Sequence, residues 1–114
     1  MAELTLYGLK TCDTCRKAIK ALEEAGHAVK AVDVRSDGVP QKTLKSWVAE
    51  HGQALVNTRS TTWRGLDEAA RAKAESDPAA LLAQHPTLIK RPVIENAGAV
   101  TVGWLKPVQA TYGL

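Results

Sequence analysis

Two cysteines three positions apart, Cys12 and Cys15 in "TCDTCRKAIKAL", stand between a strand pattern and a helix pattern. This placement constrains the chain more than any other feature. Upstream, "ELTLYG" (Glu3 to Gly8) alternates apolar and polar residues and ends on Gly, as a short strand does. Downstream, Ala18, Ile19, Leu22 and Ala25 recur at helical spacing within Asp13 to Ala25, and Gly26 closes the run as a C-terminal cap. A thiol at the start of a helix faces unpaired backbone N–H groups and the positive end of the helix dipole, which favour thiolate over thiol. Such a pair can hold a metal, form a bridge or do chemistry, and its surroundings separate the three.

A chain of 114 residues buries about two-thirds of its extended surface and needs neither metal nor disulfide to fold. A four-sulfur zinc site requires a second close cysteine pair, which is absent, and His27, His51 and His85 lack close ligand spacing. No metal is expected. "MAELTLYGLK" has none of the marks of a secretory signal, so the protein is expected to be cytoplasmic, where a permanent structural bridge is disfavoured. No stretch is long and apolar enough for a bilayer, so no membrane partner is expected. Fifteen Lys and Arg spread among twelve acids, with few aromatics to stack on bases, argue against nucleic acid.

Chemistry remains. Cys12, on the loop side, is expected to be the exposed attacking sulfur and Cys15, inside the first turn, the resolving one. The plain alternative is that both pack as small apolar residues. Two positions of separation at a helix start also predict a reversible Cys12–Cys15 disulfide under mild oxidant. Arg16 and Lys17 either add useful positive charge or point to solvent. Asp13 either opposes the thiolate or caps the helix.

Further along, "HAVKAVDV" (His27 to Val34) reads as a second strand, parallel to the first through a right-handed crossover. Gln41 to His51 reads as a helix stopped by Gly52, and "LVNTRSTTWRG" as a surface loop. Helices are expected over Leu66 to Glu75 and from "SDPAALLAQH", where Ser76 or Asp77 caps and Pro78 fits the first turn. "RPVIE" and "AVTVG" form a hairpin through "NAG", with Asn96 and Gly98 suited to the turn, and a last short helix begins near Pro107. The order β-α-β-α, a helical insert at about 41–86, then β-β-α, is that of a single thioredoxin-like α/β domain. Trp47, Trp63 and Trp104 lie near apolar neighbours and are read as packing, and His85 as a capping or packing residue.

"LYGLKTCDTCRKAIKALEEAG", "VNTRSTTWRGLDE" and "QHPTLIKRPVIE" together resemble the arsenate reductase (ArsC) family, which also includes the Spx regulators and the small YffB-like proteins. The resemblance runs from Leu4 to about Pro107, and "NTRSTTWR" is most similar to the YffB-like branch. It implies a thioredoxin-like core with a helical insert and a catalytic thiolate at Cys12. It further implies no bound cofactor, glutathione as co-substrate and glutaredoxin as a partner resolving the mixed disulfide. A monomer is expected. Arg91 and Arg59 match the family's oxyanion-holding arginines, and Pro92 resembles the cis-proline facing the active cysteine. A guanidinium suits that role because its planar donors meet two oxygens at once, whether of arsenate or of a glutathione carboxylate. Where arsenate reductases carry a third arginine, "WLKP" offers Lys106, a point charge without the fork. A glutathione-dependent thiol reductase of this family, with Cys12 as nucleophile and Cys15 or glutathione resolving, is therefore expected, and arsenate is expected to be a poor substrate. The alternatives are an Spx-like redox regulator binding RNA polymerase, or a true arsenate reductase. Against the regulator, the chain stops at Leu114, without the further segment those proteins usually carry, and lacks strong basic patches.

Overall fold

Alternation over Glu3–Gly8 buries Leu4, Leu6 and Gly8 on one face of strand β1, and this strand is the centre of the molecule's only sheet among the described residues. The computed structural model describes residues 3–114. These fall into two compact units, one formed by the chain up to Asp37 together with Arg91–Leu114, the other by Gly38–Lys90.

In the first unit the strand order is β2-β1-β3-β4, with β2 at Ala28–Asp33, β3 at Val93–Asn96 and β4 at Ala99–Val102. β1 pairs parallel with β2 and antiparallel with β3, and β3 and β4 form an antiparallel hairpin. Helix α1, Asp13–Glu24, sets Cys15, Ala18 and Leu22 against Leu4, Leu6 and Ile94, all nearly inaccessible to solvent. Its charged residues lie on the other side, as helical periodicity requires. The helix ends as its glycine predicts: Gly26 has a φ of 98°, and the amides of Gly26 and His27 donate to Glu23 O and Leu22 O at 3.0 Å each. The last helix of this unit, Lys106–Thr111, adds Val108 to the same core, and Tyr112 follows it there with its hydroxyl 2.7 Å from Thr101 Oγ1.

The hairpin differs from the expected one. Asn96 pairs with Ala99 inside the ladder, and the turn consists of Ala97 (φ 50°) and Gly98 (φ 90°). Alanine thus occupies the left-handed position expected of asparagine. Strand and helix ends also shift by a residue or two: β2 spans Ala28–Asp33, β3 begins only after Pro92, and the last helix starts at Lys106.

The second unit is helical. It contains α2 (Gln41–His51), α3 (Thr61–Arg64), α4 (Glu68–Ser76) and α5 (Pro78–Gln84), with 3-10 turns at Gly52–Leu55 and Pro86–Leu88. Trp47 is wholly buried there, as are Leu44, Leu55, Leu81, Leu82, Leu88 and Ile89. Asp67 and Asp77 cap α4 and α5 by accepting from Ala70 N and Ala80 N. The segment expected to be a plain loop contains α3, a single turn capped by Ser60, whose Oγ accepts from Trp63 N at 3.1 Å. Four residues are too few to leave a period in the sequence, which is why the pattern missed them.

The last helix of the first unit, Lys106–Thr111, is α6. The sheet with its strand order and α1 has the architecture of a thioredoxin-like fold.

Candidate active site

Three strand ends meet at the cysteine loop. β1 ends at Gly8; in register, Asp33 at the end of β2 lies beside Gly8, and Val34 N donates to Gly8 O at 2.9 Å. Because β3 runs antiparallel, its first residue, Val93, pairs with Tyr7, which brings the preceding Arg91 and Pro92 to the same end. The Arg91–Pro92 peptide bond is cis, and Pro92 O accepts from Gly103 N at 2.9 Å.

Cys12 is itself the N-cap of α1. Its backbone is extended, and its Sγ accepts from Cys15 N at 3.4 Å. A thiolate there occupies the place that serine or aspartate takes in ordinary caps. Asp13, one residue later, is exposed and ion-paired with Arg16, whose Nη1 also approaches Lys10 O at 3.5 Å. Asp13 therefore does not cap the helix, and Arg16 answers Asp13 rather than the sulfur.

Both thiols are free, Cys12 partly accessible and Cys15 buried. Burial pushes the Cys12 pKa up, but the hydrogen bonds from the Cys15 thiol and amide, with Arg91 as donor and positive charge, together bring it below the ordinary cysteine value. Cys15 moves the other way, to about 12, chiefly by burial and then by its bond to Cys12 and the charge there. The two sulfurs are thus moved apart in acidity, with the Cys15 thiol as a hydrogen-bond donor to Cys12.

Gly8 makes this closeness possible. A Cβ added at residue 8 would stand 2.6 Å from Cys15 Sγ. Beside Cys15, on the β2 side, lies a cleft of about 270 Å³ bordered by Leu9, Ile19, Ala31, Val32 and Asp33.

Cys12, Cys15, Arg91 and Pro92 are thus assembled at one end of the sheet. Lys106 is exposed at the first residue of α6. Arg59 is exposed in the other unit, on a turn in which Asn57 Oδ1 accepts Arg59 N at 3.1 Å. Trp104 packs on the first unit's core, while Trp63 is half-buried beneath the Arg71 guanidinium at 5.6 Å. Two neighbours of the thiols escaped the sequence reading: Gly8, taken only as a strand end, and Asp33, taken only as part of a strand.

The ArsC family's model matches residues 7–107 of this chain. An uncharacterized protein of Haemophilus influenzae is 42% identical over 103 residues, covering 89% of this chain and 90% of the relative. The global transcriptional regulator Spx of Bacillus subtilis is 27% identical over 106 residues, covering 89% of this chain and 79% of the regulator. Among solved structures, the YFFB (PA3664) protein superposes with a TM-score of 0.86 at 38% identity, covering 96% of this chain and 97% of that one.

Proposed function

We propose, from the premise that this chain belongs to the ArsC family, that it is a thiol-dependent oxidoreductase that reduces disulfides with Cys12 as nucleophile and glutathione as electron source. The observation that carries the reading is the place of Cys12 at the N-cap of α1, where its Sγ accepts from Cys15 N at 3.4 Å with the second, buried thiol one turn away; the lowered Cys12 and raised Cys15 pKa values agree with it.

The Cys12 thiolate attacks one sulfur of a substrate disulfide, the S–S bond breaks, and the departing thiolate leaves with the electron pair and takes a proton. Arg91, already beside Cys12, offers a guanidinium to that departing charge or to a carboxylate of the substrate. A mixed disulfide on Cys12 remains. In it the Cys12 sulfur is neutral, so the charge and hydrogen bond that hold the Cys15 proton are gone and only burial opposes ionisation. Cys15 then loses its proton and attacks Cys12 Sγ, releasing the second thiol and leaving a Cys12–Cys15 disulfide. Two glutathiones return the electrons, leaving as oxidised glutathione; alternatively one glutathione attacks the mixed disulfide directly. Glutaredoxin is the protein partner this second route admits. Arg59 is a further candidate for holding a carboxylate, read by the effect of Arg59→Ala on the KM for glutathione.

The test is glutathione-coupled turnover of a small disulfide such as hydroxyethyl disulfide. Cys12→Ser is expected to abolish it, and Cys15→Ser to leave a slower activity through glutathione alone. Wild-type protein without turnover on any disulfide or on arsenate would refute the enzyme. The Spx relative favours a second reading, a redox-responsive binding module for RNA polymerase. In that case oxidation of the pair changes affinity for the polymerase while no substrate is turned over.

A further inference from the structure

Asp33 ties the cysteine loop to the sheet. Only 8% of its surface is accessible, and it sits at the β2 end directly beside Gly8. Its Oδ2 accepts from Lys10 N at 3.0 Å, and its Oδ1 accepts from Arg35 N and Ser36 N at 2.9 Å each. The two oxygens thus face different segments: one the turn after β2, the other the loop that leads into Cys12. Lys10 is followed closely by the cap, since Cys12 N donates to Leu9 O at 3.0 Å and closes a turn around Lys10. Fixing the Lys10 amide therefore fixes the turn that sets Cys12 Sγ over the first amides of α1.

From this geometry we infer that Asp33 is a positioning residue for the nucleophile, holding Cys12 at the helix N-cap through the Lys10 amide. Asp33 touches no reacting atom and acts through the loop. The inference rests on the reading of Cys12 as the attacking sulfur. A carboxylate is required because all three of these backbone groups are donors, and an ionised carboxylate is the side chain that accepts on both of its oxygens. Asparagine has the same shape but only one accepting oxygen. With that oxygen kept on Arg35 and Ser36, its NH2 would confront the Lys10 N–H, donor against donor.

The experiment compares the pH dependence of Cys12 alkylation in the wild type, Asp33→Asn, Asp33→Ser and Leu22→Ala, using limiting iodoacetamide and locating the adduct by fragment mass spectrometry. Leu22→Ala is the control, since it weakens α1 from its buried face at a position well along the helix from the Cys12 cap, and the Leu22 side chain makes no hydrogen bond to the loop. Asp33→Asn is expected to raise the alkylation midpoint by roughly half a unit to one unit toward the free-cysteine value of about 8.5, a three- to tenfold loss of thiolate at a fixed pH below the midpoint. Asp33→Ser, which keeps one small acceptor, serves if the asparagine variant does not fold, and is expected to move in the same direction. Leu22→Ala should leave the midpoint in place. Midpoints unchanged in the Asp33 variants, or displaced equally by Leu22→Ala, would overturn the positioning role. A wild-type midpoint no lower than that of a free cysteine would instead overturn the assignment of Cys12 as nucleophile, so the two failures are distinguishable.

Discussion

One methyl group at residue 8 is the smallest change that reaches both thiols. With a Cβ at 2.6 Å from Cys15 Sγ, Gly8→Ala must displace the sulfur or the strand, an overpacking that typically costs about 1–3 kcal/mol. The same displacement loosens the Cys15 hydrogen bonds on Cys12. We expect a lower urea midpoint together with a Cys12 alkylation midpoint shifted upward. Unchanged values of both would show that the sulfur has room to move. At Arg91 the expected effect is chemical: Arg91→Ala removes a donor and a positive charge from the thiolate and should slow disulfide and arsenate reduction alike. Lys106, exposed at the start of α6, is proposed to bear on arsenate alone, standing where arsenate reductases carry an arginine. A third guanidinium supplies charge-assisted hydrogen bonds worth roughly 1.5–3 kcal/mol each, which a lysine makes with less geometric fit. Lys106→Arg is accordingly expected to raise kcat/KM for arsenate more than for a glutathione mixed disulfide. Efficient arsenate turnover by the unmodified protein, indifferent to this change, would contradict it.

Among the elements, the β3–β4 hairpin carries a correctable cost. Ala97 is held in the left-handed region, where an L-residue with a Cβ loses about 1–2 kcal/mol and asparagine loses less. Ala97→Asn, giving Asn-Gly at the two turn positions, should stabilise the protein by about 0.5–1 kcal/mol in urea unfolding, and a decrease would mean that the turn is not strained. That turn also shows where local sequence stops being informative. Periodicity and glycine placement made β1, α1 and its cap legible, because each signal lies within the element it specifies. Alanine in a left-handed turn has no such signal; the Asn96–Ala99 pairing that closes the hairpin puts it there. Asp33 was hidden for a related reason. Its bonds to Arg35 and Ser36 belong to a local turn that "DVRS" could have suggested, whereas the one to Lys10 spans 23 residues and exists only once β2 has paired with β1. The cysteine pair, Arg91 and Pro92 were legible as residues, the first from spacing and the others from family resemblance.

For the whole molecule, Asp33 makes stability depend on acidity in a defined window. The three backbone donors hold its pKa at about 2, below the ordinary 3.8. A carboxyl depressed in the folded state binds its proton more readily when unfolded, so its contribution is complete above the unfolded value near 4 and is lost as pH falls through the folded value near 2. The difference in urea midpoint between wild type and Asp33→Asn should therefore stay constant from pH 7 down to about 5 and close between pH 4 and 2. A gap that persists unchanged at pH 2 would show that the carboxylate's charge is not what matters.

The cap at Cys12 has an electrochemical consequence. The amide of Cys15 and the guanidinium of Arg91 favour an anionic sulfur, and that anion exists only while the protein is reduced. Once Cys12 is bonded to another sulfur, that sulfur cannot carry the charge, so oxidation forfeits an attraction that reduction makes available. Stabilising the reduced form alone raises the potential of a dithiol couple. A Cys12–Cys15 disulfide in this protein would accept electrons more readily than one formed by two cysteines of ordinary acidity, so a thiol reductant of given strength would return more of the pair to its dithiol form.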